Sequence, residues 1–414
     1  MKLRKMLLVA IMAIGALPLA SCDDTPEGSK ELTIWWPAGK GLQNILNEAI
    51  DRYKVDNPDV VINVEKKAGL DIYDAYKFAL NDNNSRPDIA ILDHVYVQAL
   101  ANENQVADLS ALGSDEDVKP LVPESVYQGN VYNGKNYGLP LSANTVVLMY
   151  NKDILDACGV TTIPTTLDEL LAACETVQSK GYTAFAQPIN QSFVAMEFTS
   201  YVARLGGKLV SDDYKTCLLD SETVRKAVDS WVSLSKYASK AEYEEGKFYN
   251  GNVAFIEMGS WNVSKVSGAT ALFNCGFTEM VSLDENYENY SGLGLYSFVV
   301  AEKSDVKELA YDFAKFLATD TKFQLAFAQD KDLLPVTLEA LEEPYYTEDE
   351  TLSVFASQLT KVASRPGTSI WPTMEKQIVN MMYSAVTAKD KKDIDAAITN
   401  AQKLCQEATD RKYK

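Results

Sequence analysis

The chain of 414 residues has one histidine, His94, and six cysteines, with no C-x-x-C pair and no cysteine–histidine cluster. That excludes the usual zinc signatures. No nucleophile elbow, phosphate-binding loop or zincin motif occurs. Gly292-x-Gly294 is too short for a dinucleotide fingerprint and reads as entry into a strand. No internal repeat or low-complexity tract stands out. On these grounds neither a metal nor a cofactor is expected. Basic residues are scarce too, 39 against 58 acidic ones, for a net charge of −19. So acidic a body repels phosphate backbones and anionic lipid, which argues against a nucleic-acid partner. The bland meaning of the acidity is solubility.

What is present begins with the N-terminus. Lys2, Arg4 and Lys5 precede an apolar stretch, Met6–Ala16, and Leu19-Ala20-Ser21-Cys22 follows. This is the pattern of a signal peptide over residues 1–21, and its apolar stretch is too short to span a membrane. Removing it takes away three basic residues and no acidic ones, so the net charge becomes −22. Residues 22–30, with Pro26 and Gly28, read as a flexible tether. The rest is too long for a single core, so two lobes are expected. Of the remaining cysteines, Cys158, Cys174 and Cys405 lie among apolar neighbours in helical stretches and read as small buried hydrophobes. One disulfide, for instance Cys217 with Cys275, stays open.

The organising stretch is Tyr137–Asp153, Y-G-L-P-L-S-A-N-T-V-V-L-M-Y-N-K-D. Gly138-Leu139-Pro140 breaks any helix. Val146–Tyr150 is a continuous apolar run, as in a strand buried on both faces. The polar patch Ser142–Thr145 between them reads as a crossing from one lobe to another. Before it, strands at Glu31–Trp36, Val60–Val64 and Asp88–Leu92 alternate with helices, the first presenting Leu42, Ile45, Leu46, Ala49, Ile50 and Tyr53. That alternation predicts an α/β protein with a mainly parallel sheet. After it, Thr166 and Glu169 form a capping box for a helix through about Ser179. Tyr182–Pro188 reads as a strand, and Asn190-Gln191-Ser192 opens a helix that stops at Gly206-Gly207. An amphipathic helix spans Glu222–Tyr237. Gly292–Val300 reads as a returning strand, Val306–Leu317 as its helix, and Leu334-Pro335 as a second return. Helices are expected at about Glu348–Ala363, Trp371–Thr387 and Asp393–Thr409.

Several blocks resemble one family. Gly138-Leu139-Pro140 with Tyr150-Asn151-Lys152-Asp153 is similar to its "y-G-[lI]-P…l-Y-N-K-d" signature, followed here by Pro164-Thr165-Thr166-Leu167-Asp168-Glu169-Leu170. Phe248–Trp261 resembles its "f-x-x-G-x-A-a-m-x-x-x-G-x-W" block, and the helix near Tyr311–Leu317 its "e-x-A-x-x-F-x-x-F-L" block. Leu19–Cys22 resembles the bacterial lipobox. Together these resemble the extracellular solute-binding lipoproteins of carbohydrate ABC importers, the maltose-binding-protein-like group, over nearly the whole chain.

The resemblance implies a two-lobed periplasmic-binding-protein type II fold with the ligand in the interlobe cleft. Residues 31–141 and 295–336 would form the N-terminal lobe, and 142–294 and 337–414 the C-terminal lobe. It implies a monomer that binds a carbohydrate and delivers it to permease subunits. Lipid on Cys22 would anchor it to the outer face of the bacterial cytoplasmic membrane, at the cell surface or in the periplasm.

Sugars present hydroxyls and apolar ring faces, so their sites need planar hydrogen-bonding groups and aromatics. In open α/β sheets such groups gather beyond the carboxyl ends of strands. The candidates there are Trp36 and Lys40 after the first strand, and Asp93 and His94 after the third. Asp93 could instead cap the next helix. Asn144 stands at the crossing, where some members of the family carry a ligand-binding Glu. Asn190, Gln191 and Glu197 fall where relatives face the cleft. Trp261 is the foremost aromatic, at the family's stacking position, with Tyr296 and Trp371 as further aromatics. Arg365 reads more simply as a loop salt-bridge residue. Candidate aromatics outnumber charge pairs near the expected cleft, which favours a neutral ligand such as an oligosaccharide, while Lys40 and Arg365 leave an acidic sugar or a phosphodiester open. The rival reading is a secreted glycoside-active enzyme that uses a carboxylate pair.

Overall fold

The computed structural model describes residues 30–69, 72–82, 85–187, 192–238 and 245–413. The expected signal peptide, lipidation site and most of the tether, and the candidates Asn190 and Gln191, lie outside these residues. Among the described residues no helix is long and apolar enough to cross a membrane.

Two sheets form the two lobes. The strands are β1 (Lys30–Pro37), β2 (Val60–Lys67), β3 (Ile89–Asp93), β4 (Leu139–Asn144), β5 (Val146–Asn151), β6 (Thr183–Ala186), β7 (Val253–Gly259), β8 (Cys275–Thr278) and β9 (Gly294–Val300). The first sheet runs β2-β1-β3-β9-β4 and the second β8-β5-β7-β6. A mainly parallel sheet is not what forms. β1 pairs in parallel with β2 and β3, but β9 is antiparallel to both β3 and β4. In the second sheet only β6–β7 is parallel. The reason is the crossings: β9 enters the first sheet from the opposite lobe, and so runs against its neighbours.

The chain leaves the first sheet after Asn144 and enters the second at Val146, with Thr145 alone between them. It returns at Leu293, between the short strand Ser291–Gly292 and β9. A third passage is tied in at Leu334, whose N–H and carbonyl bond the carbonyl and N–H of Ala143 at 2.9 and 3.0 Å.

Helices cover both faces. α1 (Lys40–Asp56) buries Leu42, Leu46, Ala49 and Tyr53, the stripe expected from its spacing. α2 is Tyr73–Ala79 and α3 is His94–Asn102. α4 (Leu167–Ser179) starts at the predicted capping box. Glu169 N–H donates to Thr166 Oγ1 at 3.3 Å, and Thr166 N–H donates to Glu169 Oε2 at 3.2 Å. α5 (Ser192–Ala203) and α6 (Glu222–Ser235) pack on the second sheet, and α7 (Lys307–Thr319) and α8 (Thr321–Lys331) on the first. α9 (Trp371–Thr387) and α10 (Lys391–Tyr413) complete the core of the second lobe.

The expected helix over Glu348–Ala363 is cut short. Only Leu352–Gln358 is helical, and Val362–Ala363 pairs in parallel with Ser291–Gly292. The backbone carbonyls of Lys361 and Ala363 accept from Ser291 and Leu293 N–H, so the returning crossing claims this segment. The five described cysteines are unbridged in this structure, and Cys217, held against α10, and Cys275, on β8 opposite Asn151, sit on different elements and are not paired.

Candidate functional site

Register brings the site together. Tyr296 lies opposite Asp93 on one side and Ser142 on the other, so β9 carries it to the carboxyl end of β3. Gly294 lies opposite Asn144. Val146 lies opposite Gly259, so Trp261, two residues past the end of β7, comes to the crossing. Two glycines make this close approach feasible. A Cβ on Gly259 would sit 1.9 Å from the Trp261 ring, which folds back across it, and one on Gly294 would sit 2.0 Å from Asn144 Oδ1. The spacing of Gly259-Ser260-Trp261 therefore has a steric meaning: only a residue without a side chain lets the indole lie there.

The result is a cavity of about 430 Å³ where the lobes meet. Trp261, Phe193, Met196, Leu295, Tyr296 and Leu333 form its apolar wall, and Asn144, Asp93, Arg365, Lys331 and Glu375 its polar edge. Phe193 meets Trp261 edge-on at 6.0 Å. Two acids and two bases line it, so its formal charge balances. That suits an uncharged guest with an apolar face and many hydroxyls.

Asp93 is held from several sides. Its carboxylate oxygens accept from one Arg365 guanidinium nitrogen at 2.7 and 2.8 Å. It also caps α3, accepting from Val95 N–H at 3.4 Å. Burial by itself would raise its pKa, but Arg365, and then His94, hold the carboxyl well below the usual carboxylate range. Asp93 therefore both caps α3 and lines the cavity. Arg365 is the salt-bridge residue expected, but its partner lies on the other lobe and the pair lines the cavity.

The remaining candidates stand elsewhere. Trp36 is fully buried, donates from Nε1 to Leu42 O at 3.1 Å and packs on Phe323 and Phe327. It is a core residue, because α1 and α8 cover that face of β1. Trp35, on the other face, is buried as well. Lys40 is exposed at the start of α1 and does not line the cavity. His94 is wholly buried, with Nδ1 3.0 Å from Asp93 Oδ1. Its burial keeps the ring's pKa below the ordinary value against the pull of Asp93. Trp371 is wholly buried, with the Arg365 guanidinium 6.0 Å from its ring centre. His94 and Trp371 thus back the ion pair rather than face the cavity.

A neighbouring hollow of about 510 Å³ escaped sequence reasoning. Lys67, Tyr73, Asp74, Tyr96 and Pro372 are among its lining residues, and the Tyr73 and Tyr96 rings stack at 4.1 Å and 12°. Tyr96 and Asp93 share the first turn of α3, and Pro372 and Glu375 the first turns of α9. The two hollows therefore adjoin along these helix starts. Phe193, Lys331 and Glu375 were missed too. Their only signal is position, at the starts or ends of helices abutting a crossing.

Comparison with known proteins agrees with this architecture. The chain is 24% identical over 390 residues to the maltotriose-binding protein of Pyrococcus abyssi, covering 91% of this chain and 82% of that protein. It is 23% identical over 363 residues to the galactooligosaccharide-binding protein of Bacillus subtilis, covering 84% and 83%. The cyclic α-maltosyl-1,6-maltose binding protein of Arthrobacter globiformis superimposes with a TM-score of 0.80 at 23% identity, over 92% of this chain and 99% of that one. The sugar-binding protein MalE of Xanthomonas citri does so with 0.81 at 19% identity, over 93% and 98%. The fold is thus the two-lobed one of maltose-binding-protein-type solute-binding proteins. Residues 48–354 match the family model of bacterial extracellular solute-binding proteins, and the chain belongs to that family.

Proposed function

We propose that this protein captures a neutral oligosaccharide between its lobes and delivers it to the permease of an ABC importer. The observation that carries the proposal is the interlobe cavity, where Trp261, Phe193 and Tyr296 face the polar edge of Asn144, Asp93 and Arg365. Aromatic faces take sugar rings, and the fixed donors and acceptors take their hydroxyls. Because both lobes line it, filling the cavity favours the closed arrangement of the lobes, the form a permease would read. The maltotriose- and galactooligosaccharide-binding relatives support an oligosaccharide as the guest. The lipobox supports a lipid anchor on Cys22, outside the cytoplasmic membrane, and a relative in Streptococcus pneumoniae is itself named a solute-binding lipoprotein.

Titration calorimetry against neutral, acidic and phosphorylated mono- and oligosaccharides tests this. Binding of a neutral oligosaccharide without turnover is expected. Failure of the whole panel, or release of cleaved product, would overturn it. The glycoside-cleaving alternative needs a carboxyl that stays protonated to act as acid. Asp93, held ionised by Arg365, is unsuited to that role.

A further inference from the structure

We propose that Cys217 and Cys405 form a disulfide that staples the C-terminal helix to the second lobe. Both side chains are buried, at 2% and 0% exposure, in one apolar cluster. The backbone of Cys217 is gripped by α10 from both of its polar groups. Its N–H donates to Gln406 Oε1 at 2.8 Å, and its carbonyl accepts from Gln402 Nε2 at 2.8 Å. Gln402 also accepts from Asp220 N–H at 3.0 Å, and Gln406 donates to Lys215 O at 3.1 Å. Cys405 lies between these two glutamines on the helix, which turns its side chain toward Cys217, and the two thiols interact with each other. Cys275 sits instead on β8, opposite Asn151.

The family is extracellular, and exported thiols held in contact meet oxidants that cytosolic thiols do not. Two S–H bonds break and one S–S bond forms. Two electrons and two protons pass to the disulfide of an exported thiol–disulfide oxidant, which leaves as a dithiol. Because both sulfurs are buried, the bond closes as the chain folds. It encloses a long loop, the case in which a bridge restricts the unfolded chain most. The staple also secures the helix that reaches the first lobe, since Lys412 on α10 pairs with Glu103 at 2.9 Å.

The test uses the full chain exported by a bacterial host. It is alkylated in denaturant without reductant, digested and weighed. The peptides of Cys217 and Cys405 should appear joined, two hydrogens lighter than their sum, and separate on reduction. Finding both alkylated, or Cys217 joined to Cys275, overturns the proposal. Melting supplies a second readout. Oxidised protein should melt several degrees above protein refolded under reductant, and Cys275→Ala should keep that gap. If Cys405→Ala keeps it too, the staple does not exist.

Discussion

Replacing Trp261 with alanine should weaken oligosaccharide binding by roughly 60-fold, and the figure follows from what the indole does. A tryptophan buries about 150–250 Å² in a contact. Here much of the ring already packs on Gly259, Phe193 and the core clusters around it. That leaves about 60 Å² for a guest, worth about 1.5 kcal/mol at ~25 cal/mol per Å². Stacking geometry adds about 1 kcal/mol. Together about 2.5 kcal/mol correspond to nearly two decades in Kd. Calorimetry with the tightest ligand found measures it. Because the ring also supports the core, thermal unfolding must show that the variant is folded.

Gly259→Ala separates the two roles. It keeps the tryptophan but places a Cβ where the ring now lies, 1.9 Å away, so the indole must move. Affinity should fall in the same direction with every cleft side chain still present. Wild-type affinity in both variants, each folded, would refute a stacking role for Trp261.

Gly294→Ala should cost at least tenfold in affinity in the same titration, since its Cβ would lie 2.0 Å from Asn144 Oδ1. Trp36→Ala should do the reverse, lowering stability by about 3–5 kcal/mol in denaturant unfolding while Kd stays within twofold, because Trp36 is core. Asp93→Asn should strand the Arg365 charge, weakening binding and lowering the melting temperature. In the native protein the depressed Asp93 pKa contributes stability above the ordinary carboxylate range, and that contribution is lost as pH falls below it. Glu197 behaves in the opposite sense. It is buried with Glu257 around Arg204, and burial, then the Glu257 charge, push its pKa up to about 8. The folded state holds that proton more tightly than the unfolded chain. The contribution is therefore complete below the ordinary glutamate pKa and lost as pH rises toward 8. Melting temperatures across pH 4–9 should show that slope, and Glu197→Gln should flatten it.

Elements that depend on near neighbours were readable in the residues. The stripe on α1, the Thr166–Glu169 capping box, the start of α9 at Trp371 and the apolar run of β5 all express local periodicity or local hydrogen bonding. Elements that depend on distant partners were not. Val362–Ala363 became a strand because Ser291 and Leu293 needed acceptors, and no local pattern records that demand.

The division is sharpest among the tryptophans. Chain length, strand–helix alternation and the glycine–proline break at the start of β4 point to an α/β chain of two lobes, and the G-x-W block to an indole presented at a helix start. Which aromatic lines the interlobe cavity was settled only by assembly. Trp36 and Trp261 both sit at or just past the end of a strand, but α1 and α8 close over the first, whereas the second lies where the two lobes part. Asp93 likewise acquired its partner from Arg365, 272 positions away. A side chain's own pattern says that it is apolar or charged, and the surface brought against it from elsewhere in the chain decides whether water, protein or ligand meets it.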